Sequence, residues 1–195
     1  MELGASNVTG VAELALRQGA VTLRPWLSTD ADAIVARIGD PAIVEFLDRI
    51  PQPYERRDAL DYIRGSREGW QAWTHTNFAI LVEGLESAVG SVGIQWTEIA
   101  EGVGEIGYWV AAEARGRGVG TTATRLVAEW AFDVEQRLER LQLRADARNA
   151  ASNRVAEKAG FTREGVLRSS RRNVRLGRRV DFVMWSLLRA ELDGG

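Results

Sequence analysis

Residues 115–121 read Arg-Gly-Arg-Gly-Val-Gly-Thr, and the segments on either side of them constrain the fold more than any other feature of the chain. Before them, Gly104–Val110 is a β-prone run that closes on Tyr108, Trp109 and Val110. After them the apolar period becomes helical, with Val119, Ala123, Leu126, Val127, Trp130, Ala131 and Val134 on one face. Leu141, Leu143 and Ala145 then alternate with Gln142 and Arg144, as a strand does. Strand, turn, helix and strand make a β-α-β unit with parallel strands and a right-handed crossover. Three alternate glycines remove Cβ atoms where backbone must approach a ligand. The helix that follows leaves its first N–H groups unpaired at the turn, and its dipole places roughly +0.5 charge there. Together with Arg115 and Arg117 this predicts an anion site; the alternative is a glycine-rich connector that only starts a helix.

The remaining segments predict a mixed sheet. Residues 1–19 read as a loose leader ahead of a domain over 20–192. Val21–Arg24, followed by Pro25, is a first short strand. Thr29 and Asp32 have capping-box spacing ahead of Ile34, Val35 and Ile38, which mark a helix face. Asp40–Pro41 places an N-cap before a proline at the first helical position of a second short helix. A longer helix carries Leu60, Ile63 and Trp70. Phe78–Val82 and Ala88–Trp96 form a hairpin around Glu83–Ser87. Asn149 opens a helix that ends at Gly160, and Phe161–Arg168 and Val180–Leu188 are final strands around an Arg-rich connection. The class is α/β, a single mixed-sheet domain.

Length and composition bound the function. A chain of 195 residues, 45% hydrophobic and 27% charged, suits one globular domain. No apolar run nears the ~18 residues of a membrane span, and the first residues lack a basic, apolar signal pattern, so a cytoplasmic location is expected. With no cysteine, disulfides, zinc–thiolate sites and thiol nucleophiles are excluded, and no metal is implied. Net charge is −2, so the whole-chain field does not gather nucleic acid. Of the 25 basic residues only Lys158 is lysine, and seven of the arginines lie between Arg163 and Arg179. That cluster has three readings: a solvated hairpin, a contact for a coenzyme phosphate or acidic acceptor, or a nucleic-acid surface.

Which phosphate ligand the turn holds is narrowed by what is absent. A P-loop needs Gly-Lys-Ser/Thr, and no such triplet occurs. The dinucleotide fingerprint needs a glycine where Thr121 stands, and it belongs on a domain's first strand, although Asp146 does follow the next strand.

Four segments in order resemble the GCN5-related N-acetyltransferases (GNAT), and among them the RimJ/RimL-type ribosomal-protein acetyltransferases. Arg115-Gly116-Arg117-Gly118-Val119-Gly120 matches the family's coenzyme A signature, Gln/Arg-x-x-Gly-x-Gly/Ala. Gly104–Val110 looks like its fourth strand. Asn149–Asn153 continuing to Glu157-Lys158-Ala159-Gly160-Phe161 looks like its Asn-x-x-Ser … Glu-Lys-x-Gly-Phe segment, and Thr22-Leu23-Arg24-Pro25 like its opening strand. The likeness spans about residues 20–190. It implies a mostly antiparallel sheet of six to seven strands, flanked by four or more helices, with a parallel pair splayed around the cofactor. It further implies acetyl transfer from acetyl-CoA to a primary amine, that of a protein N-terminus or of a small molecule, and, as is common among relatives, a homodimer. The pantetheine arm would meet strand backbone at Trp109 and Val110, the pyrophosphate the amides of Gly116, Arg117, Gly118, Val119, Gly120 and Thr121, and Asn149 the pantetheine.

Direct attack of an amine on a thioester needs a neutral amine, a polarised carbonyl and a proton donor for the leaving thiolate. Glu105, at the start of the fourth strand, is the candidate base, with Glu101, Glu113 and Asp181 behind it; Ser152 is the candidate acid; the Val110 N–H is a candidate for polarising the carbonyl. Each has a plainer alternative: Glu105 as a solvent-facing strand-end carboxylate, Ser152 as a first-turn helix residue. Tyr54, in a loop between helices that covers the acceptor site in relatives, is the candidate substrate contact. His75, Trp70 and Trp73 read as structural. The competing class is a non-catalytic module of the same fold that uses the Arg-rich hairpin to bind RNA or ribosome.

Overall fold

The structure, a computed structural model, describes residues 14–192. Among these, eight strands form one sheet in the order β1-β2-β3-β4-β5-β6-β8-β7. The strands are β1 (Leu16–Gln18), β2 (Val21–Pro25), β3 (His75–Val82), β4 (Gly90–Glu98), β5 (Val103–Val110), β6 (Arg140–Asp146), β7 (Thr162–Asn173) and β8 (Arg178–Leu188). The helices are α1 (Ala31–Ile38), α2 (Pro41–Val44), α3 (Arg56–Ala72), α4 (Val119–Val134), α5 (Ala150–Lys158) and α6 (Arg189–Leu192). Every neighbouring pair is antiparallel except β5 and β6.

The eighth strand lies where a loose leader was expected. Gly19, at φ +56°, turns the chain so that Leu16 faces Leu23 and Gln18 faces Val21. A two-residue turn with a left-handed glycine suits the twist of a hairpin. Residues 1–13 of that leader lie outside the described residues. The Thr29–Asp32 cap is also replaced. The Asp30 carboxylate takes the Leu27 N–H at 2.9 Å and both arms of Arg24 at 2.7 and 2.8 Å. Asp40 does cap α2, accepting from the Ala42 N–H at 2.9 Å ahead of Pro41.

Side-chain alternation assigns the two faces. Asn77 and Ser91 face α3, bonding Ser66 (3.1 Å) and Tyr62 (2.9 Å). Phe78, Ile80, Val92 and Ile94 point the other way and are fully buried. There the fully buried Ala123, Val127, Ala128 and Ala131 let α4 lie close. Each such buried Phe or Ile contributes about 1.5–3 kcal/mol. β2 ends at Pro25, opposite Phe78, so His75–Asn77 have no β2 partner. The end of α3 closes that breach: Trp70 donates to the Asn77 carbonyl at 3.2 Å and packs on Phe78 and Trp130, while Trp73 stacks on Trp96 at 5.1 Å. Trp70 is thus core, Trp73 packs against the core and is partly buried, and the His75 ring fills the space over Gly69 of α3.

The candidate acetyl-transfer site

The parallel pairing of β5 with β6 covers only Val103–Glu105 against Arg140–Gln142. Beyond Glu105 the strands part, β5 running on to Val110 and β6 to Asp146, and a fork opens between them. Ladder groups left unpaired inside a protein need partners, so a fork of this kind offers main-chain donors and acceptors to a ligand. The Gly102 carbonyl accepts from Arg140 N on the β6 side at 3.0 Å. Two-residue alternation then turns the N–H and C=O of Ile106, Tyr108 and Val110 into the fork. Trp109 is turned away: its carbonyl lies beside Gly90 of β4 and its side chain is buried. Of the expected pair only Val110 turns its backbone to the fork, its carbonyl already bonded by Arg115 Nε at 2.9 Å; Trp109 does not, and Tyr108 does.

The glycine turn leads from the fork into α4. Gly116 (φ +72°) and Gly118 (φ +77°) sit in the left-handed region that favours glycine. Gly120 differs. A Cβ there would meet Val155 at 3.4 Å and Tyr108 at 3.6 Å, which is ordinary contact. The turn therefore needs two of its three glycines for backbone shape. Gly118 is the N-cap of α4, and no side chain caps it. Thr122 N makes the first helical bond, to the Gly118 carbonyl at 2.9 Å, so the amides of Val119, Gly120 and Thr121 stay free for an anion. Arg117 is exposed and pairs with no carboxylate among the described residues. Arg115 is used elsewhere: its Nε donates to the Val110 carbonyl (2.9 Å) and its Nη2 pairs with Asp40 (2.8 Å), tying the turn to the α1–α2 junction.

On the α4–α5 side of the fork, Asn149 caps α5 by accepting the Ser152 N–H at 3.0 Å. Asn153, not singled out in the sequence, anchors this start. It donates to the Asp146 carbonyl (3.1 Å) and accepts from Trp185 Nε1 (2.9 Å). Tyr108 donates its hydroxyl proton to Ser152 Oγ at 3.0 Å, and burial pushes its phenol up to about 12. On the α3 side, the Glu105 carboxylate lies at the base of the fork, held by Arg144 at 2.7 and 3.0 Å. Burial and nearby acidic groups push Tyr54, packed at the edge of the core, up to about 12.

The Arg-rich hairpin is docked back on the protein. Arg171 pairs with the buried Asp48 at 2.7 Å and stacks over Phe182, Arg175 donates to the Ile50 carbonyl (2.6 Å), and Asn173 donates to the Glu45 carbonyl (3.3 Å). Arg179 donates to the Ser169 carbonyl across the hairpin at 2.6 Å. The hairpin and the segment after α2 thus form one wall. Asp146 is bound by Arg148 through two side-chain bonds, at 3.0 and 2.7 Å, and by its amide at 2.9 Å, so both of its oxygens are engaged within the chain. No helix among the described residues is long and apolar enough to cross a membrane.

Known proteins resemble this chain in sequence and fold. The model of the acetyltransferase (GNAT) domain matches residues 20–162. An uncharacterized N-acetyltransferase, p20 of Bacillus licheniformis, is 26% identical over 176 residues, 89% of this chain and 96% of that protein. RimJ of Mycobacterium smegmatis, solved in complex with CoA-disulfide, superposes with a TM-score of 0.78 at 26% identity over 92% of this chain and 88% of that one. RimL, the ribosomal L7/L12 alpha-N-protein acetyltransferase solved with coenzyme A, has the same fold, with a TM-score of 0.79 at 18% identity over 90% of this chain and 98% of that one. The forked strands, the uncapped helix after the glycine turn and the family match over most of its length make this chain a GNAT N-acetyltransferase of the RimJ/RimL-like group.

Proposed function

We propose that this acetyl-CoA-dependent enzyme transfers the acetyl group directly to a primary amine of low pKa, the α-amine of a protein N-terminus being the acceptor class. The observation that carries this is the alignment of the fork with the free amides of α4, which supplies main-chain partners for an amide-bearing arm and an anion site for its pyrophosphate. In this reading Gly116 to Thr121 hold the pyrophosphate, and Tyr108 and Val110 bond the pantetheine through backbone. Asn149 lines the arm's path. Acetyl-CoA supplies the activated acyl group, and the chain orients and polarises it.

Glu105 takes the amine's proton, directly or through water. The Tyr108 or Val110 N–H polarises the carbonyl, and Ser152 donates to the departing sulfur. An α-amine of pKa ~7.7–8.0 costs roughly 1–1.4 kcal/mol to deprotonate at pH 7, against ~4.6 for lysine, so one modest base is enough for the first. The RimL structure named above is that of an alpha-N-protein acetyltransferase, which favours the same acceptor. Tyr54 and the hairpin wall border the acceptor's approach. A bacterial cytoplasm, where acetyl-CoA and nascent N-termini meet, is the setting this reading implies. The test is thiol release from acetyl-CoA with matched peptides. A peptide with a free N-terminus and no lysine should turn over, and the same peptide with a blocked N-terminus and one lysine should not. The reverse preference, or release with neither, overturns the proposal.

A further inference from the structure

Ser152 has its place fixed from two sides: Asn149 holds its amide, and Asn153 ties the first turn of α5 to the Asp146 carbonyl and to Trp185. Its hydroxyl has one proton and two lone pairs. A serine in that position can donate to a departing sulfur only if its proton is not spent elsewhere. Tyr108 settles which way the pair is written. The tyrosine ring borders Gly120 of α4, and its hydroxyl has no bonding partner among the described residues except Ser152 Oγ, at 3.0 Å. Burial keeps the phenol protonated throughout the working pH range, so it stays a donor. With one Ser152 lone pair filled by Tyr108, the serine's own proton is free to point into the fork, and a donor that is itself hydrogen-bonded is polarised further.

We propose that Tyr108 is the positioning residue that makes Ser152 a one-way hydrogen-bond donor to the leaving sulfur; this rests on the acetyl-transfer reading above. As the amine forms the new C–N bond, the C–S bond breaks and its electron pair goes to sulfur, bridged by the Ser152 proton. The proton that sulfur keeps passes through Ser152 and is replaced from solvent. The proton that the amine sheds leaves by way of Glu105.

Coenzyme A itself is the probe, because its thiol reports the bond without any acceptor. A free thiol ionises near ~8.5, and a donated hydrogen bond favours the charged form. Ultraviolet absorbance of the thiolate in the wild-type complex should show ionisation beginning at about tenfold lower hydroxide concentration than for free coenzyme, the scale of one charge-assisted hydrogen bond. Tyr108→Phe, Ser152→Ala and the double variant should each return it to the free value, the double no further than either single. In turnover, Tyr108→Phe should lower kcat about tenfold with KM for acetyl-CoA within twofold. Coenzyme binding at pH 6, where the thiol is protonated, should be unchanged in Tyr108→Phe. A wild-type titration in Tyr108→Phe, or effects that add in the double variant, overturns the role of Tyr108 alone. Failure of the wild-type protein to bind coenzyme A at pH 6 overturns the acetyl-transfer reading with it.

Discussion

The Glu105 carboxylate and the Arg144 guanidinium meet across the base of the fork at 2.7 and 3.0 Å, at the last position where β5 and β6 are in register. Arg144 reaches both carboxylate oxygens and Gln142 reaches Oε2 at 3.4 Å, so in the proposed reading the amine's proton is taken on the lone pairs that these bonds leave. Glu105→Gln should therefore lower kcat by about 10²-fold or more, the scale of a lost general base. Both side chains are partly exposed, so the same change should cost less than about 1 kcal/mol of stability. Thiol release at saturating acetyl-CoA and a denaturation curve together separate the two effects.

The glycines of the turn should not be equivalent. Gly118→Val forces a β-branched residue to φ +77°, at a cost of about 1–2 kcal/mol or more, and should abolish the rise in melting temperature that acetyl-CoA causes. Gly120→Ala adds a Cβ at ordinary contact distance in a helix and should keep both the fold and the thermal shift. Loss of coenzyme binding in the alanine variant would mean that Gly120 sits against the ligand after all.

The Asp48–Arg171 pair holds the hairpin wall, with the carboxyl side chain 1% exposed and Arg171 39%. Asp48 also accepts the Val174 N–H. Asp48→Ala leaves both donors without their partner. A fully buried pair broken this way costs 3–5 kcal/mol, and water reaching Arg171 reduces that to about 2 kcal/mol. The urea midpoint should fall accordingly. KM for the amine should rise more than KM for acetyl-CoA if, as proposed, the wall borders the acceptor's approach.

Glu164 gives a pH signature. Hydrogen bonds from Arg140 at 2.6 and 2.7 Å and from Ser186 at 2.8 Å hold its carboxyl down to about 2. A group depressed in the folded state adds stability above its unfolded value near 4.3, and that stability is lost as pH falls toward 2. Wild type should therefore be more stable than Glu164→Gln at pH 6, and the difference should shrink between pH 4.5 and 2. Chemical denaturation at several pH values reads it directly; a difference that does not change with pH would mean that the ion pair contributes nothing.

How much was legible in the sequence follows the distance over which each feature is encoded. The β5–turn–α4–β6 unit, the Asp40 and Asn149 caps and the order of the later strands rest on neighbours a few residues apart, and periodicity and capping chemistry report those. β1 was missed because three residues gain strand character only by pairing with β2. The Thr29–Asp32 cap gave way to Asp30 because Arg24, on the preceding strand, holds the Asp30 carboxylate where it also accepts the Leu27 N–H, while Asp32 pairs with Arg56. The parity that exchanges Trp109 for Tyr108 depends on which edge of β5 meets β6, which no local pattern records.

By itself the sequence determined the fold class, the glycine turn that opens α4 and the residue types available for chemistry, cysteine excluded, because all of these are local or compositional. The tertiary structure decided how they are used. Tyr108 and Ser152 are 44 residues apart, and Asp48 and Arg171 are 123 apart. Arg115, beside the glycine turn, bonds the Val110 carbonyl and Asp40, which lies 75 residues before it. A guanidinium or hydroxyl bonds whichever partner the packed chain brings within about 3 Å, and that proximity is set by the sheet register and the parting of β5 from β6.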